Sequence, residues 1–303
     1  MNITNTELEK LSLKVKNVLT REMEWEIEDI RLIGSGVINA VFLIRDKERG
    51  LLAVRTPWRS DERMMDKHSS GVISLQKEAA IAEHCYKHHI PVPKIHKIYL
   101  SNEINFLVSE YILGDDHEIS SFDLGKLTAK IHKVPTDGLL IIDQQEQTLS
   151  KIISERITER VISLRKLTNI DFIIPESEEL ETILNTSPTN DTLLHLDVRR
   201  PNVIAKDGII QAIIDWDNAF IGNPIMELMR ISETQELHVE EFLKGYNGEE
   251  VLIKTEKVIQ SIYRLDTALM LSILFISFIN DKAKAEYYIN RVQAIINEIN
   301  KCL

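Results

Sequence analysis

Cysteine is scarce in this chain. Only Cys85 and Cys302 occur, far apart and in no metal-ligand spacing. That excludes a disulfide scaffold and fits a reducing compartment such as the cytoplasm. Basic charge is short as well. A formal net charge of −11 lacks the cationic footprint that nucleic acid demands, while remaining mildly compatible with cationic substrates. Long hydrophobic runs are missing. The most apolar stretch, "LDTALMLSILFISFI" from Leu265 to Ile279, falls short of the ~20 residues a membrane span needs, so a buried helix and no membrane association are expected. The N-terminal "MNITNTELEKLSLKVKNVL" breaks its apolar residues with charges and has no signal-like apolar core. No internal repeat or low-complexity segment is visible.

What is present is enough for a substantial core: 303 residues, 44 % of them hydrophobic, suggest two lobes. Leu8, Leu11, Val15, Val18 and Leu19 recur at helical spacing over residues 5 to 23. The period then changes. "IEDIRLIGSGVINAVFLIRDKERGLLAVRTP" reads as three strands joined by a glycine turn and a "KERG" turn. A helix is expected across "ISLQKEAAIAEHCYKHH", stopped by the prolines of "PVPKIHKIYL". "NFLVSEYIL" reads as a strand that meets Gly114. Beyond it the pattern is almost wholly helical, which places one boundary there, with lobes at 1–113 and 114–303. Ser120 or Ser121 would cap the next helix, "SSFDLGKLTAKIH", and residues 148 to 168 and 228 to 300 read as helices too.

One stretch in the helical half departs from that pattern: "LLHLDVRRPNVIAKDGIIQAIIDWDNAF", residues 193 to 220. Two short apolar strands flank a Lys-Asp-Gly turn, the strongest hairpin signal in the chain. Antiparallel pairing about Asp207 and Gly208 would bring Asn202, before the first strand, beside Asp215, at the end of the second. Asp197 precedes Asn202 by five residues in a loop kept extended by Pro201. Carboxylate and amide oxygens are hard ligands suited to Mg²⁺, and a further carboxylate nearby could orient a hydroxyl or accept its proton. His195 with Asp197 could also be half of a metal-hydrolase site, but no second histidine-carboxylate cluster at ligand spacing completes it.

"HLDVRRPN" followed by "IIDWD" resembles the catalytic loop and metal-binding aspartate of the aminoglycoside phosphotransferase and choline kinase family, small-molecule relatives of the protein kinases. The resemblance implies an α+β, protein-kinase-like two-lobed fold, with an N-terminal antiparallel sheet lobe and a larger helical lobe. It implies Asp197 as base or hydroxyl-positioning group, Asn202 and Asp215 as Mg²⁺ ligands, and His195 as a structural residue of the loop. "IGSGVINAVFLI" resembles the nucleotide-positioning turn, with Gly34, Ser35 and Gly36 admitting phosphates to backbone N–H groups for a steric reason and Asn39 as a turn asparagine. "LAVRT" puts Arg55 where kinases place a phosphate-contacting lysine, with Glu78 as its ion-pair partner. "FLVSEYILG" resembles the hinge, where backbone groups near Ser109 and Tyr111 would meet the adenine of ATP or GTP. "LGKLTAKIH" through His132 and "FLKGY" through Tyr246 resemble further landmarks.

The departures from the pattern also carry information. Arginine at position 55 replaces a compact ammonium by a planar fork. Leu196 stands where resistance enzymes usually have glycine and many protein kinases have the arginine that reads a phosphorylated activation loop. Arg199, two residues past the catalytic aspartate, could neutralise charge on the transferring phosphoryl group. Twelve residues separate Asp215 from Glu227, too few for a peptide platform, which argues for a small-molecule acceptor, of antibiotic or metabolite type. An aromatic content of 6 % leaves few residues for a cage around a quaternary ammonium. Asp217, Glu233, Glu236 and Asp266 could hold an amine-bearing acceptor or simply be solvated. Two alternatives use the same residues: a catalytically silent relative, suggested by Arg55 and Leu196, and a protein kinase.

Overall fold

Helix α1 (Asn5–Arg21) begins at a capping box, in which the Thr4 side chain accepts from the Glu7 N–H and Glu7 accepts in return from Thr4. Its buried face, Leu8, Val15, Val18 and Leu19, lies on a five-stranded antiparallel sheet of order β1-β2-β3-β5-β4. The strands are β1 (Ile27–Ser35), β2 (Asn39–Asp46), β3 (Gly50–Pro57), β4 (Ile95–Tyr99) and β5 (Phe106–Glu110). Side chains alternate across a strand. Phe42, Ile44, Leu52, Val54, Phe106 and Val108 therefore face α1, while Leu107 faces helix α2 (Gly71–Lys87) through Leu75 and Ala79. Arg55, one residue on from Val54, is thereby turned to the α2 side of the sheet. This computed structural model describes residues 3–59, 70–142, 144, 147–187 and 191–303.

The predicted hairpin forms as β7 (Val203–Lys206) and β8 (Ile209–Ile213), with Asp207 and Gly208 both at positive φ in the tight turn. It joins the sheet-bearing unit. The Ile213 N–H donates to the Pro91 carbonyl, and the Asp115 N–H to that of Ala205. Unit 1 is consequently Met1–Glu118, Leu139–Asp143 and Pro201–Asp217, and unit 2 is Ile119–Gly138, Gln144–Arg200 and Asn218–Leu303. Periodicity suggested a single cut after Leu113. Periodicity, however, cannot see that residues 201–217 return to the first unit.

Unit 2 is helical apart from a short antiparallel pair, β6 (Thr192–Leu194) with β9 (Phe220–Gly222). Its helices are α3 (Ser121–Ile131), α4 (Leu149–Thr168), α5 (Ser177–Leu184), α6 (Pro224–Thr234), α7 (Val239–Tyr246), α8 (Glu249–Lys254), α9 (Lys257–Ile273) and α10 (Lys282–Asn300). Ser120 is the α3 cap, accepting from the Asp123 N–H. The apolar run becomes the interior of α9, in which 14 of 17 residues are buried, continued by a π-helical turn at Leu274–Ile279. By length and composition Lys257–Ile279 could cross a membrane, yet 61 % of its apolar window is buried within the protein. Helices α3 and α7 touch backbone to backbone at two glycines. A Cβ on Gly125 would collide with the Phe242 carbonyl oxygen, and one on Gly245 with that of Phe122.

Candidate active site

In unit 1 the α2 face of the sheet gathers charge. The Arg55 guanidinium donates from Nη2 to Asp215 Oδ1 (2.9 Å) and Asp217 Oδ2 (2.7 Å), and its Nη1 lies 3.4 Å from Glu78 Oε2. With its amide oxygen toward the guanidinium, Asn39 accepts from Nη2 at 2.7 Å and Nε at 3.0 Å. The opposite orientation would set amide N–H groups against guanidinium N–H groups. Ser74, four residues before Glu78 and so on the same face of α2, donates to Asp217 Oδ1 at 2.6 Å. Glu78 also receives the Trp216 N–H at 2.6 Å and the Asp215 N–H at 3.4 Å, which pins the end of the hairpin to the helix. Asp215 is at φ +71°, a left-handed conformation that those bonds help to hold.

One guanidinium thus serves three carboxylates. Burial alone would lower the Arg55 pKa, but Asp215, Asp217 and Glu78 carry it up. Burial pushes the Glu78 carboxyl up to about 7 against the pull of Arg55, with Asp215 and Asp217 adding to the rise. Asp217 is raised as well, again chiefly by burial. Oxygen atoms of Glu78, Asp215 and Asp217 come within 4.8 Å of one another, a set of hard donors that fits Mg²⁺. Asn202 enters through its backbone: its carbonyl accepts the Ile214 N–H at 2.9 Å, opposite the residue before Asp215.

In unit 2 the loop after β6 hangs on a single carboxylate. Glu227, in the first turn of α6, accepts the His195 N–H (2.9 Å) and the Leu196 N–H (2.7 Å) and takes His132 Nε2 at 3.0 Å. The Tyr246 hydroxyl lies 2.7 Å from the other ring nitrogen, so the ring is held between the Glu227 carboxylate and the Tyr246 phenol. Burial opposes ionisation of Glu227, but the bond and charge of His132, with His195, hold its carboxyl below the usual range. Leu196 is buried at φ +59°, the left-handed region in which glycine carries no penalty. His195 is fully buried and its Nδ1 accepts the Asp197 N–H at 3.2 Å, a structural contact that sets where Asp197 leaves the backbone. Arg199 Nε donates to Asp197 Oδ2 at 3.2 Å.

Of the residues predicted from sequence, the structure brings Arg55, Glu78 and Asp215 together in unit 1, and Asp197 and Arg199 together in unit 2. Gly34 and Ser35 end β1 and Gly36 opens the turn, where the Gly36 N–H donates to the Asn39 carbonyl. A Cβ on Gly34 would meet no protein atom within 4 Å, so packing within the turn does not itself demand glycine there. Ser109 is a paired residue of β5, opposite Ala53 and Ile95. The Tyr111 N–H donates to the Leu51 carbonyl at 3.4 Å. The pairing of Asp217 with Arg55 escaped sequence reasoning, as did the contact of the turn asparagine Asn39 with that guanidinium, Ser74, and the hub role of Glu227. The two-residue step from Asp215 to Asp217 was the available signal for the first. Glu233 and Asp266 are neither solvated nor open to an amine, being buried against arginines. A cavity of about 250 Å³ in unit 2, lined by residues such as Gln144, Asn185, Asn223 and Tyr263, contains none of the predicted site residues.

The sheet, the helical unit and these two charge nodes define a kinase-like enzyme that acts on small molecules. The chain belongs to the phosphotransferase enzyme family, whose sequence model matches residues 29–251. No curated protein matches the sequence. Among solved structures, a putative fructosamine-3-kinase from Haemophilus somnus shares the fold with a TM-score of 0.66 at 20 % identity, covering 97 % of this chain and 99 % of that one. A thermostable mutant of aminoglycoside phosphotransferase APH(4)-Ia, in a ternary complex with AMP-PNP and hygromycin B, aligns with a TM-score of 0.65 at 17 % identity, covering 94 % and 98 %. The GDP complex of an aminoglycoside 2'-phosphotransferase-IIIa mutant gives 0.60 at 15 %, covering 94 % and 97 %.

Proposed function

We propose that the protein transfers the γ-phosphoryl group of ATP or GTP to a hydroxyl of a small molecule. The supporting observation is the convergence of a strand cation, a helix acid and a hairpin aspartate, Arg55, Glu78 and Asp215, although Arg55 and Asp215 are 160 residues apart. In this reading the acceptor oxygen bonds to the γ-phosphorus as the bond to the β–γ bridging oxygen breaks. Asp197 orients the hydroxyl and takes its proton, and its bond from Arg199 restricts which oxygen does so. Arg199 is also the cation assigned to the charge developing on the phosphoryl group. Gly34, Ser35 and Gly36 border the triphosphate, and the strand around Ser109 and Tyr111 borders the base. Asp215 and Asn202, with Glu78 and Asp217 added by the structure, would hold Mg²⁺, which when bound supplies charge balance for the phosphates.

Mg²⁺-dependent ADP or GDP release, scored with product mass across hydroxylated amines, sugars, acids and macrolides, tests this reading. Asp197→Ala should lower turnover by about 10²–10⁴-fold with nucleotide affinity largely kept, as loss of a positioned general base does. Asp215→Ala should instead weaken Mg²⁺-nucleotide binding in calorimetry. Wild-type turnover in both variants would end the assignment. The grip of Arg55 on both aspartates favours one second reading, a silent nucleotide-holding relative, for which nucleotide binds but no acceptor is ever phosphorylated.

A further inference from the structure

Three arginines of unit 2 surround one carboxylate. Asp266 on α9 accepts a two-pronged bond from Arg156 of α4, at 2.9 and 2.7 Å, and another from Arg160 Nη1 at 2.9 Å. Arg160 Nη1 also reaches the Asp266 backbone carbonyl at 3.1 Å. These contacts spend the carboxylate. The third guanidinium, Arg230 of α6, is 7 % exposed, and among the described residues its hydrogen-bond partner is the thioether of Met270, Sδ to Nη2 at 3.0 Å. A guanidinium carries five N–H donors, and a thioether is a weak acceptor.

A buried cation without a hydrogen-bonded anion is among the costlier things a core can hold, and an apolar side chain of similar length would serve packing better. Arg230 lies in the field of four charged groups. Burial lowers its pKa, Asp197 and Asp266 raise it, and Arg160 and Arg156 lower it further. Arg230 also stands three residues after Glu227, on the same face of α6, and Glu227 holds the N–H groups of His195 and Leu196 just before Asp197, so an arginine with donors to spare shares the neighbourhood of the aspartate assigned to the acceptor hydroxyl. Of the acids that could have served a polyamine, Asp266 and Glu233 are engaged by arginines. Glu233 holds Arg291 through two bonds, at 2.7 and 2.9 Å, and Arg264 at 3.1 Å.

We propose that Arg230 binds a carboxylate of the acceptor whose hydroxyl Asp197 serves, so that the substrate is a hydroxy acid or hydroxylated amino acid and not a polyamine. This rests on the phosphotransferase reading for the role of Asp197. The anion site itself rests on the arginine.

Thermal melting of the full chain in sodium malonate, against sodium chloride of equal ionic strength, tests the site. The wild type should show a saturable rise in Tm. Arg230→Met should need at least tenfold more malonate for the same rise, while melting no lower than wild type in chloride. A methionine variant that keeps the malonate response overturns the proposal. If that variant melts lower or does not fold, Arg230→Lys decides: a weakened but saturable response supports the site, and a lost one makes Arg230 structural. ATP alone, tested the same way, should raise Tm equally in wild type and variant, since an Arg230-dependent nucleotide effect would assign the guanidinium to phosphate. Matched acceptors then separate the two readings: glycerate against glycerol, serine against serinamide, homoserine against its amide. At least tenfold faster ADP release with the acid of a pair supports the substrate class. Preference for the neutral or cationic member sinks it and leaves phosphotransfer standing. No turnover with any pair, alongside an Arg230-dependent malonate response, removes the phosphotransferase reading and keeps the anion site.

Discussion

Glu78 on α2 and Glu227 on α6 each collect two consecutive backbone N–H groups from a segment bearing a proposed functional aspartate: Asp215 and Trp216 in one case, His195 and Leu196 in the other. Each segment contains a residue in the left-handed region, Asp215 and Leu196. Their electrostatics are opposite. Glu227 sits in a helix first turn, where the dipole favours a carboxylate, and has a histidine donor to itself. Glu78 lies in mid-helix and shares one guanidinium with two aspartates, and burial, with the charge of those aspartates added, drives its carboxyl up to about 7. The same anchoring device is therefore electrically closed in unit 2 and left with surplus negative charge in unit 1. A structural hub can be neutralised completely, whereas a site proposed to receive a cation must keep negative charge.

Removing the closed anchor should have the largest effect. Glu227→Ala strands two buried N–H groups and His132, and should destabilise by about 3–5 kcal/mol in chemical denaturation, the range for breaking a buried pair. A loss within 1 kcal/mol of zero, on the order of an exposed pair, would break the comparison. Glu78 should show itself through pH. Its folded pKa lies above the ordinary carboxyl value of 4.5, so its stabilising contribution is complete below 4.5 and is lost as pH rises through about 7. Glu78→Gln should abolish that component, so that the variant compares better with wild type at pH 8 than at pH 5, by on the order of 3 kcal/mol at most. Parallel stability profiles for the two proteins would contradict the contrast. Glu227, with its pKa lowered, should contribute in the reverse sense, losing stability as pH falls below its unfolded value. The smallest effect is at Leu196, where both Ala and Gly forfeit the buried side chain but only Ala keeps the left-handed penalty. Leu196→Gly should therefore be the more stable of the two by about 1 kcal/mol, the opposite of the order at an ordinary buried position.

Much of this was legible in the chain. Asp207-Gly208 announced the hairpin and sets its first pairs, Lys206 with Ile209 and Ala205 with Ile210, but a register shift between Ile204 and Ala205 moves the later pairs by one residue, so the turn alone did not tell which residue stands opposite Asn202. Ser120 announced α3. The family pattern located Arg55 and Glu78 on elements that do meet. Strand β4 was hidden behind Pro91 and Pro93, which signal the end of a helix but say nothing of the strand that follows. Asp217 was placed with acceptor-side acids because nothing local distinguishes a carboxylate that will meet Arg55 from one in solvent. Glu227 looked like one more acid on a helix, and its role depends on backbone groups 31 and 32 residues earlier in the chain. Pairings of that kind are long-range, and a local pattern does not encode them.

The glycine crossing of α3 and α7 has a consequence for how this protein can change. It sets the approach of the helices that carry His132 and Tyr246, and through them the seat of Glu227. Even alanine at 125 or 245 would wedge the pair apart, so a saturation library should find both positions intolerant although neither is among the residues assigned to the site. Efforts to evolve a new acceptor range would do better to vary the loops and leave that joint untouched.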